Sequence, residues 1–543
     1  MYEDLAYVEA VDMYQKLIKK GYTSQEIYGN IGDSYYKNAN YTAACEWYAK
    51  LMEVEGMDKD TYYVYKYAQA LKSADRYEDS NLWMNKLKAI SADDIRLKHY
   101  EEDTDYLKNI LSNTGNYTID KLPYNTEHSD FAPTFYKEKL VFSSARKRGM
   151  FVKLSHTWNK EPFLDLYQVD SSAQSLVRKF NKKINRKTHE SSAAFTKDGN
   201  TMYFTRNNSK KGKFKRDKDG YSRLKVFKAT FKEGKWTEAV ALPFNNDLYS
   251  VAHPCLSSDE KQLYFTSDMP GGYGESDLYV VDILSNGQYS EPRNLGSKIN
   301  TESRETFPFV SGTNQLYFAS DGHPGLGGLD IFEMDLEKPN ATAKNLGAPI
   351  NSSEDDFSLI YNNLANEGYF SSNRKGGQGS DDIYMFRKTV KEEQEVVEEE
   401  EEEESIAAVT PVEEELPAVE LPSLEELNDQ LSPVYFDFDS HTLKTQETSK
   451  LEKLVQLLKD NTQLIIEVNG YTDSRGSSQY NQKLSEKRTK HVVDYLLKEG
   501  IAIEQISSKG FGESHIKNKC TNSSHCSKKE HALNRKVEFN LRF

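Results

Sequence analysis

An alternating run, Leu464-Ile465-Ile466-Glu467-Val468, leads into the polar loop Asn469-Gly470-Tyr471-Thr472-Asp473-Ser474-Arg475-Gly476-Ser477, and a polar helical stretch carrying Tyr480, Asn481, Leu484 and Arg488 follows. A carboxylate at Asp473 and a guanidinium at Arg488 suit a zwitterion, because each charge can meet its opposite through charge-assisted hydrogen bonds. Amino-acid-like ligands are zwitterions. Backbone amides where the loop enters the helix add a preference for a ligand carboxylate. Such binding needs no nucleophile, metal or general base, and no cofactor is expected. The competing reading is structural: Asp473 stabilises its own loop, and Arg488 pairs with Glu486 or another surface acid for about 0–1 kcal/mol.

The elements that position these residues surround them. Val434-Tyr435-Phe436-Asp437-Phe438-Asp439-Ser440 alternates as a strand, Leu451 to Leu458 reads as a helix, Tyr480 to Leu497 as a second, and Val537 to Leu541 as a last strand. This order suits a compact α/β sandwich. The stretch Leu431 to Phe543, with Gly510-Phe511-Gly512-Glu513-Ser514 and Asn534-Arg535-Lys536-Val537-Glu538, resembles the OmpA-like peptidoglycan-binding domain. The resemblance implies that Asp473 takes the side-chain ammonium of diaminopimelate in the peptidoglycan stem, and that Arg488 takes a carboxylate. It also places Thr472, Asn481, Leu484, Phe438 and Asp439 around the same pocket. Family domains commonly carry Asn-Arg-Arg where this chain has Asn534-Arg535-Lys536, so a planar donor is lost at 536, and Arg535 is expected to support the site indirectly.

The chain has 543 residues and a formal net charge of -15, which implies several domains and no difficulty in burying cores. The acidity is local. Lys391 to Asp429 holds 17 acids against one lysine, so -17 + 1 = -16, and the remainder sits near +1. This argues against nucleic acid as a partner. Seven consecutive glutamates, Glu398 to Glu404, and the prolines Pro411, Pro417 and Pro422 make residues 389–432 an expected extended, disordered tether, since like charges repel and proline resists folding.

No apolar run is long enough for a bilayer-spanning helix. Met1-Tyr2-Glu3-Asp4 shows neither a basic segment nor an apolar core of a signal peptide, which alone points to the cytoplasm. Of the four cysteines, Cys520 and Cys526 lie six apart in a polar loop, a spacing that can close a disulfide ring in an oxidising compartment. Two free thiols, or a zinc site using His525 or His531, are the alternatives.

Residues 1–111 read as helical repeats near the roughly 34-residue tetratricopeptide period, with Gly32, Tyr35, Ala44 and Tyr48 at small and aromatic positions and Ala68, Leu71 and Met84 in a second copy. Stepping back one period from Ala44 and Tyr48 reaches Ala10 and Tyr14, so the first repeat is expected to be truncated. The native precursor is then expected to carry a partner helix and an export signal upstream. Tyr35, Trp47, Tyr48, Tyr62, Tyr63, Tyr67 and Trp83 read as core residues of packed helix pairs. The solenoid's concave surface is assigned to partner docking.

Over residues 112–388 the pattern changes to short alternating strands with turn-forming residues. One phrase recurs five times, around Phe142, Phe204, Phe265, Phe318 and Phe370, at steps of 62, 61, 53 and 52 residues. Each is followed by a second strand, as in Asp277-Leu278-Tyr279, Asp330-Ile331-Phe332 and Asp382-Ile383-Tyr384. The pattern resembles the WD-like repeats of TolB-type β-propellers, implying five blades, with a sixth if Asn116 to Pro123 combines with a late strand. The Asp and Gly clusters are read as turn formers ahead of calcium loops. His189-Glu190-Ser191 and His253-Pro254 recur at equivalent positions and are read as structural.

The expected fold class is therefore multidomain: an all-α solenoid over 1–111, an all-β propeller over 112–388, the tether over 389–432, and an α/β OmpA-like domain over 433–543. That order resembles the periplasmic PorE-type proteins of type IX secretion and related OmpA-family proteins of gliding bacteria. Those associate with an outer-membrane β-barrel of PorP or SprF type and with other secretion or motility components. This chain lacks the carboxypeptidase-regulatory-like domain of PorE. The implied function is a non-enzymatic periplasmic anchor at the outer membrane, holding peptidoglycan at one end and a membrane complex at the other. A propeller-based hydrolase acting on cell-wall glycans and a cytoplasmic scaffold are the other classes.

Overall fold

The computed structural model describes residues 2–102, 106–112, 116–146, 155–170, 176–210, 213–218, 220–338, 340–363, 365–389, 428, 431–436, 440, 445–461, 464–476, 478–502, 505–514, 516, 518, 520 and 526–542. The chain divides into two compact units, Met1–Val397 and Glu398–Phe543. Most of the glutamate-rich segment expected as a tether lies outside the described residues.

The first unit begins with helices Tyr7–Lys19, Gln25–Lys37, Tyr41–Met52, Thr61–Ser73, Tyr77–Ile90, Ile95–Glu102 and Tyr106–Ser112. Three of them start where sequence chemistry dictates: the side chains of Ser24, Asn40 and Asp60 accept hydrogen bonds from the amides of Ile27, Ala43 and Tyr63. The small-and-aromatic spacing is a packing requirement. A Cβ at Gly32 would sit 2.4 Å from the Tyr48 ring, so only glycine lets the two helices approach. Tyr48 and Leu71 are fully buried in this core, with Tyr67 nearly so, whereas Tyr62 stays 38% exposed at the surface.

Among the described residues of the first unit beyond 116 are five antiparallel sheets of four or five strands, and a two-stranded hairpin, Ser209–Lys210 with Lys213–Phe214. The first four begin with strands Asp130–Tyr136, Glu190–Phe195, Val251–Leu256 and Glu305–Val310, and the fifth with Asp356–Asn362. The recurrent aromatic phrase forms the second strand of each, and Phe142, Phe204, Phe265 and Phe370 are fully buried there. The segment Tyr117–Lys121 does combine with a late strand. It pairs antiparallel with Asp382–Lys388 as the outer strand of the fifth sheet, so it adds no sixth sheet.

Five asparagines join each sheet to the next. Asn185, Asn245, Asn300 and Asn351 each exchange side-chain hydrogen bonds with the backbone amide and carbonyl of one residue in the preceding sheet, namely Leu166, Val226, Leu278 and Ile331. Asn125 does the same with Ile383 of the fifth sheet. The side-chain amide thus continues a strand ladder where the backbone has turned away, leaving no orphaned peptide groups. The first strands of the five sheets touch in succession, and the fifth returns to the first. Each carries a bulge whose shifted residue is left-handed: Ala132, Ser192, His253, Phe307 and Ser358, with φ of 52°, 40°, 54°, 50° and 51°.

Helices and sheets of this unit are bonded together. The Tyr41 hydroxyl donates to Asp355 Oδ1 at 2.5 Å, Tyr36 to Asp321 Oδ2 at 3.2 Å, and Gln69 Nε2 to the Asp321 carbonyl at 2.6 Å. Burial raises the Asp321 carboxyl, but Arg304 at 2.8 Å and Lys66 at 3.8 Å outweigh it and hold the pKa at about 2. Tyr36, Tyr41, Lys66 and Gln69 of the helices are therefore engaged by the chain's own sheets. The turn aspartates Asp277, Asp330 and Asp382 accept backbone amides of their preceding glycine loops, at 3.1 Å from Gly274, 3.3 Å from Gly327 and 3.3 Å from Gly379.

The second unit has one four-stranded sheet, in the order Val434–Tyr435, Lys536–Arg542, Ile465–Gly470, Ile506–Gly510, of which only the last pair is parallel. Helices Thr445–Asp460 and Ser478–Lys498 pack Leu451, Leu454, Leu458, Val492, Val493 and Leu496 against Ile466, Val468, Val537 and Leu541. Two glycines set how closely the second helix lies on the sheet. A Cβ at Gly470 would come within 2.6 Å of the Ser485 carbonyl, and one at Gly510 within 2.6 Å of Ser485 Oγ.

Candidate functional site

The loop Tyr471–Gly476 follows strand Ile465–Gly470, and Gly476 takes a φ of 118° that lets the chain turn into the helix. On that helix Asn481, Leu484 and Arg488 succeed one another at intervals of three and four residues, which places them on one face. The loop Gly510–Gly512 is tied to the same face, with Gln482 Nε2 donating to the Gly510 carbonyl at 2.7 Å and the Gly512 amide donating to Ser485 Oγ at 2.9 Å.

These elements bring Thr472, Asp473, Asn481, Leu484 and Arg488 around one cleft of about 30 Å³, together with Arg475, Tyr480 and Arg535. Phe438 and Asp439 lie outside the described residues. Asp473 is buried and accepts from the Arg475 amide at 3.2 Å, Arg475 Nη2 at 2.6 Å and Arg535 Nη1 at 3.1 Å. Burial pushes its carboxyl up, but the hydrogen bonds from Arg475 and Arg535 outweigh burial and hold it below the usual range.

Arg488 is fully buried; its Nε donates to the Ser440 carbonyl and its Nη1 to the Tyr471 carbonyl, both at 2.9 Å, with the guanidinium 5.2 Å from the Phe436 ring. Glu486, the acid weighed as its surface partner, accepts from Gln482 Nε2 at 2.8 Å. Asn481 Nδ2 donates to Glu513 Oε2 at 2.5 Å, and among the described residues the buried Thr472 Oγ1 has no hydrogen-bond partner. Lys536 Nζ pairs with Glu538 Oε1 at 2.5 Å.

Among the described residues lining the cleft there are three guanidiniums and one carboxylate. That excess of positive charge favours a zwitterion with more carboxylates than ammoniums. The part of the cleft bounded by the described residues, about 30 Å³, is far smaller than an amino-acid-sized ligand, which needs a side chain at its rim to shift. Arg475 is the wall best placed to move, its side chain being 35% exposed against 10% for Arg535. The opposed charges read from the sequence, Asp473 and Arg488, lie around one space; Arg535, expected to support the site indirectly, bonds to Asp473, and so does Arg475, which the sequence reading did not single out. Cys520 and Cys526 form a disulfide with Cα atoms 5.7 Å apart, which leaves no thiolate pair for a metal there. Cys45 and Cys255 are buried and free.

Residues 435–530 match the OmpA family, so the C-terminal region is an OmpA-like domain. Over 88 residues it is 47% identical to outer membrane protein A of Klebsiella aerogenes, covering 15% of this chain and 24% of that protein. Against outer membrane protein A of Escherichia coli O157:H7 the identity is 43% over 89 residues, covering 16% and 25%. The chain thus spans about a quarter of the length of the curated relatives it matches. The solved peptidoglycan-associated lipoprotein from Burkholderia pseudomallei aligns with 20% of this chain and 89% of that one at 31% identity, and its TM-score of 0.19 carries no weight. Among the described residues no helix is long and apolar enough to cross a membrane.

Proposed function

We propose, from the OmpA-like character of residues 435–530, that this protein is a non-catalytic anchor in the periplasm, associated with the outer membrane, whose C-terminal domain over 433–543 binds peptidoglycan. The observation that carries the reading is the convergence of Asp473, Arg488, Thr472, Asn481 and Leu484 on one cleft with surplus guanidinium charge. Diaminopimelate in the peptide stem offers the matching groups, an ammonium for Asp473 and carboxylates for Arg488 and its neighbours. Ligand entry displaces Arg475 from Asp473, so one cation is exchanged for another.

In this reading residues 1–111 are a tetratricopeptide-type solenoid and 112–388 a five-bladed propeller. Support comes from the five consecutive sheets, the strand Tyr117–Lys121 that joins the fifth sheet, and the Asn125 bonds to Ile383. This unit docks a membrane complex of the type IX secretion or gliding kind, through a PorP- or SprF-like barrel, and that assignment rests on the resemblance in domain order alone.

A hydrolase acting on wall glycans is the second reading, and it needs paired carboxylates in a shared cleft. Where the first strands of the five sheets meet, the lining contains a single acid, Glu260, whose carboxylate already accepts the Lys197 amide. A pair is missing from that cavity, so the hydrolase reading rests on a second cleft of the same unit, lined by Asp12, Asp355 and Asp381. The deciding experiment is retention of the full chain on purified sacculi, with Asp473→Asn and Arg488→Lys compared after thermal melts establish folding. Retention is expected to fall at least tenfold in both variants, and unchanged retention would reject the reading.

A further inference from the structure

The five bulged strands enclose a cavity of about 330 Å³, to which every one of the five sheets contributes. Its floor is the layer of left-handed residues Ala132, Ser192, His253, Phe307 and Ser358. The two large members close it: the rings of His253 and Phe307 lie 3.8 Å apart, and Phe307 packs 5.0 Å from Phe357 and 6.3 Å from Phe131. The walls are apolar, formed by Pro133, Phe135, Phe195, Pro254, Pro308 and Phe309. Lys197 and Glu260 are the charged side chains of the lining, and the Lys197 amide is bonded to the Glu260 carboxylate. With Thr134, Ser257 and Ser258 as its further polar members, such a lining disfavours phosphates and heavily hydroxylated glycans, most of whose polar groups would be left without partners.

One polar group in the floor is held in a defined state. The Ser192 amide donates to Ser143 Oγ at 3.2 Å, Ser143 Oγ donates to Ser191 Oγ at 3.1 Å, Ser191 Oγ lies 3.1 Å from Ser192 Oγ, and Ser192 Oγ lies 2.6 Å from His253 Nδ1. Burial keeps the imidazole neutral, with its pKa lowered to about 3. With Ser143 donating to Ser191, the relay is completed when Ser191 donates to Ser192 and Ser192 to His253, the arrangement in which Nδ1 accepts and Nε2 carries the hydrogen. Among the described residues Nε2 has no partner, on a ring that lines the cavity. No carboxylate acts on this imidazole, which leaves it a donor and deprives Ser192 of the machinery of a nucleophile.

We propose that this cup is a binding site for an uncharged, largely apolar, ring-bearing small molecule with one carbonyl oxygen, which His253 Nε2–H meets. The volume lies at the lower end of ligand pockets, roughly 300–1,000 Å³. The site is independent of the wall-binding reading, since it belongs to the other unit.

The test is fluorescence titration of the full chain with 6-propionyl-2-(dimethylamino)naphthalene, an uncharged naphthyl ketone whose emission reports hydrogen bonding at its carbonyl. Saturable binding at one site per chain is expected. Gly312 lines the cavity and a Cβ there meets nothing within 4 Å, so Gly312→Trp, checked for folding by a thermal melt, is the variant that fills the space. It is expected to weaken binding at least tenfold. His253→Phe, checked for folding by a thermal melt, is expected to weaken it about three- to tenfold, the range of one hydrogen bond, and to shift the bound emission further to the blue. Absence of saturable binding, or equal binding by Gly312→Trp, overturns the site. Unchanged emission with His253→Phe overturns the role given to that residue.

Discussion

Arg535 Nη1 lies 3.1 Å from Asp473 Oδ2, and the same guanidinium donates through Nε to the Phe436 carbonyl at 3.1 Å. One side chain therefore fixes the site carboxylate and the end of the first sheet strand together. Arg475 binds the same carboxylate from the solvent side, with 35% of its side chain exposed.

The two arginines should differ in what their removal costs. Arg535→Ala strips a buried partner from a buried charge, which costs about 3–5 kcal/mol, whereas Arg475→Ala removes a screened partner worth about 0–1 kcal/mol. The check is the urea midpoint of the transition assigned to the C-terminal unit. The sign of the pH effect follows from the same bonds. Because Asp473 titrates below its ordinary range when folded, its contribution is present above that range and is lost as pH falls through the folded value. Equal costs for the two variants would mean that Arg535 is not the structural partner.

Asn300 is fully buried, accepts the Leu278 amide at 2.8 Å and donates to the Leu278 carbonyl at 3.1 Å. Asn300→Ala leaves both backbone groups buried and unmet, so a loss of about 2–4 kcal/mol is expected. The exposed Asn286, bonded to Gln288, is the control, and Asn286→Ala should stay within about 0.5 kcal/mol of wild type. Chemical denaturation of the full chain, following the transition of the first unit, separates the two.

The aromatic phrase around Phe142 and its repeats was legible because those second strands are buried on both faces and follow a simple pattern. The first strands were not. Pro133, Pro254 and Pro308 interrupt them, and each bulge shifts the alternation by a residue, so their pattern breaks where the cavity forms. A usable signal was nonetheless present: Asn125, Asn185, Asn245, Asn300 and Asn351 recur at steps of 60, 60, 55 and 51, the spacing of the phrase itself. In the site, the residue types at Asp473 and Arg488 were readable, but Arg535 lies 62 positions from Asp473 and only the fold brings them together. Nothing local in the sequence singles out Tyr36 and Tyr41, whose hydroxyls serve contacts 285 and 314 positions away.

His323 is buried in the loop between the second and third strands of the fourth sheet, with Nε2 2.8 Å from the Ile299 carbonyl and its ring stacked 4.5 Å from His99. Burial first, and His99 second, lower its pKa to about 3 from an ordinary 6.5. The folded form therefore stays neutral where the unfolded chain takes a proton. Its contribution is full above about pH 6.5 and is lost progressively as the pH falls toward 3, by about 1.4 kcal/mol per unit. The stability of wild type relative to His323→Phe should decline between pH 6.5 and 5 and stay constant from 7 to 8. A difference that does not change with pH would show that the imidazole is not held neutral.

The disulfide reaches the site through hydrogen bonds on both sides of Asp473. Ser474 Oγ donates to the Cys520 carbonyl at 2.8 Å, while Asn518 Oδ1 accepts the Cys520 amide at 3.2 Å and Asn534 Nδ2 at 2.9 Å, next to Arg535. A ring this short restrains the unfolded chain modestly, so Cys520→Ser with Cys526→Ser should cost about 2 kcal/mol. The local effect should be larger than that figure implies, because the Cys520 carbonyl positions the loop. Hydrogen exchange of the Thr472 to Arg475 amides is expected to accelerate on reduction, with the strand Ile465–Gly470 unaffected. Unaltered exchange in the loop would confine the disulfide to its own ring and leave Gly476 and the helix face to set the site by themselves.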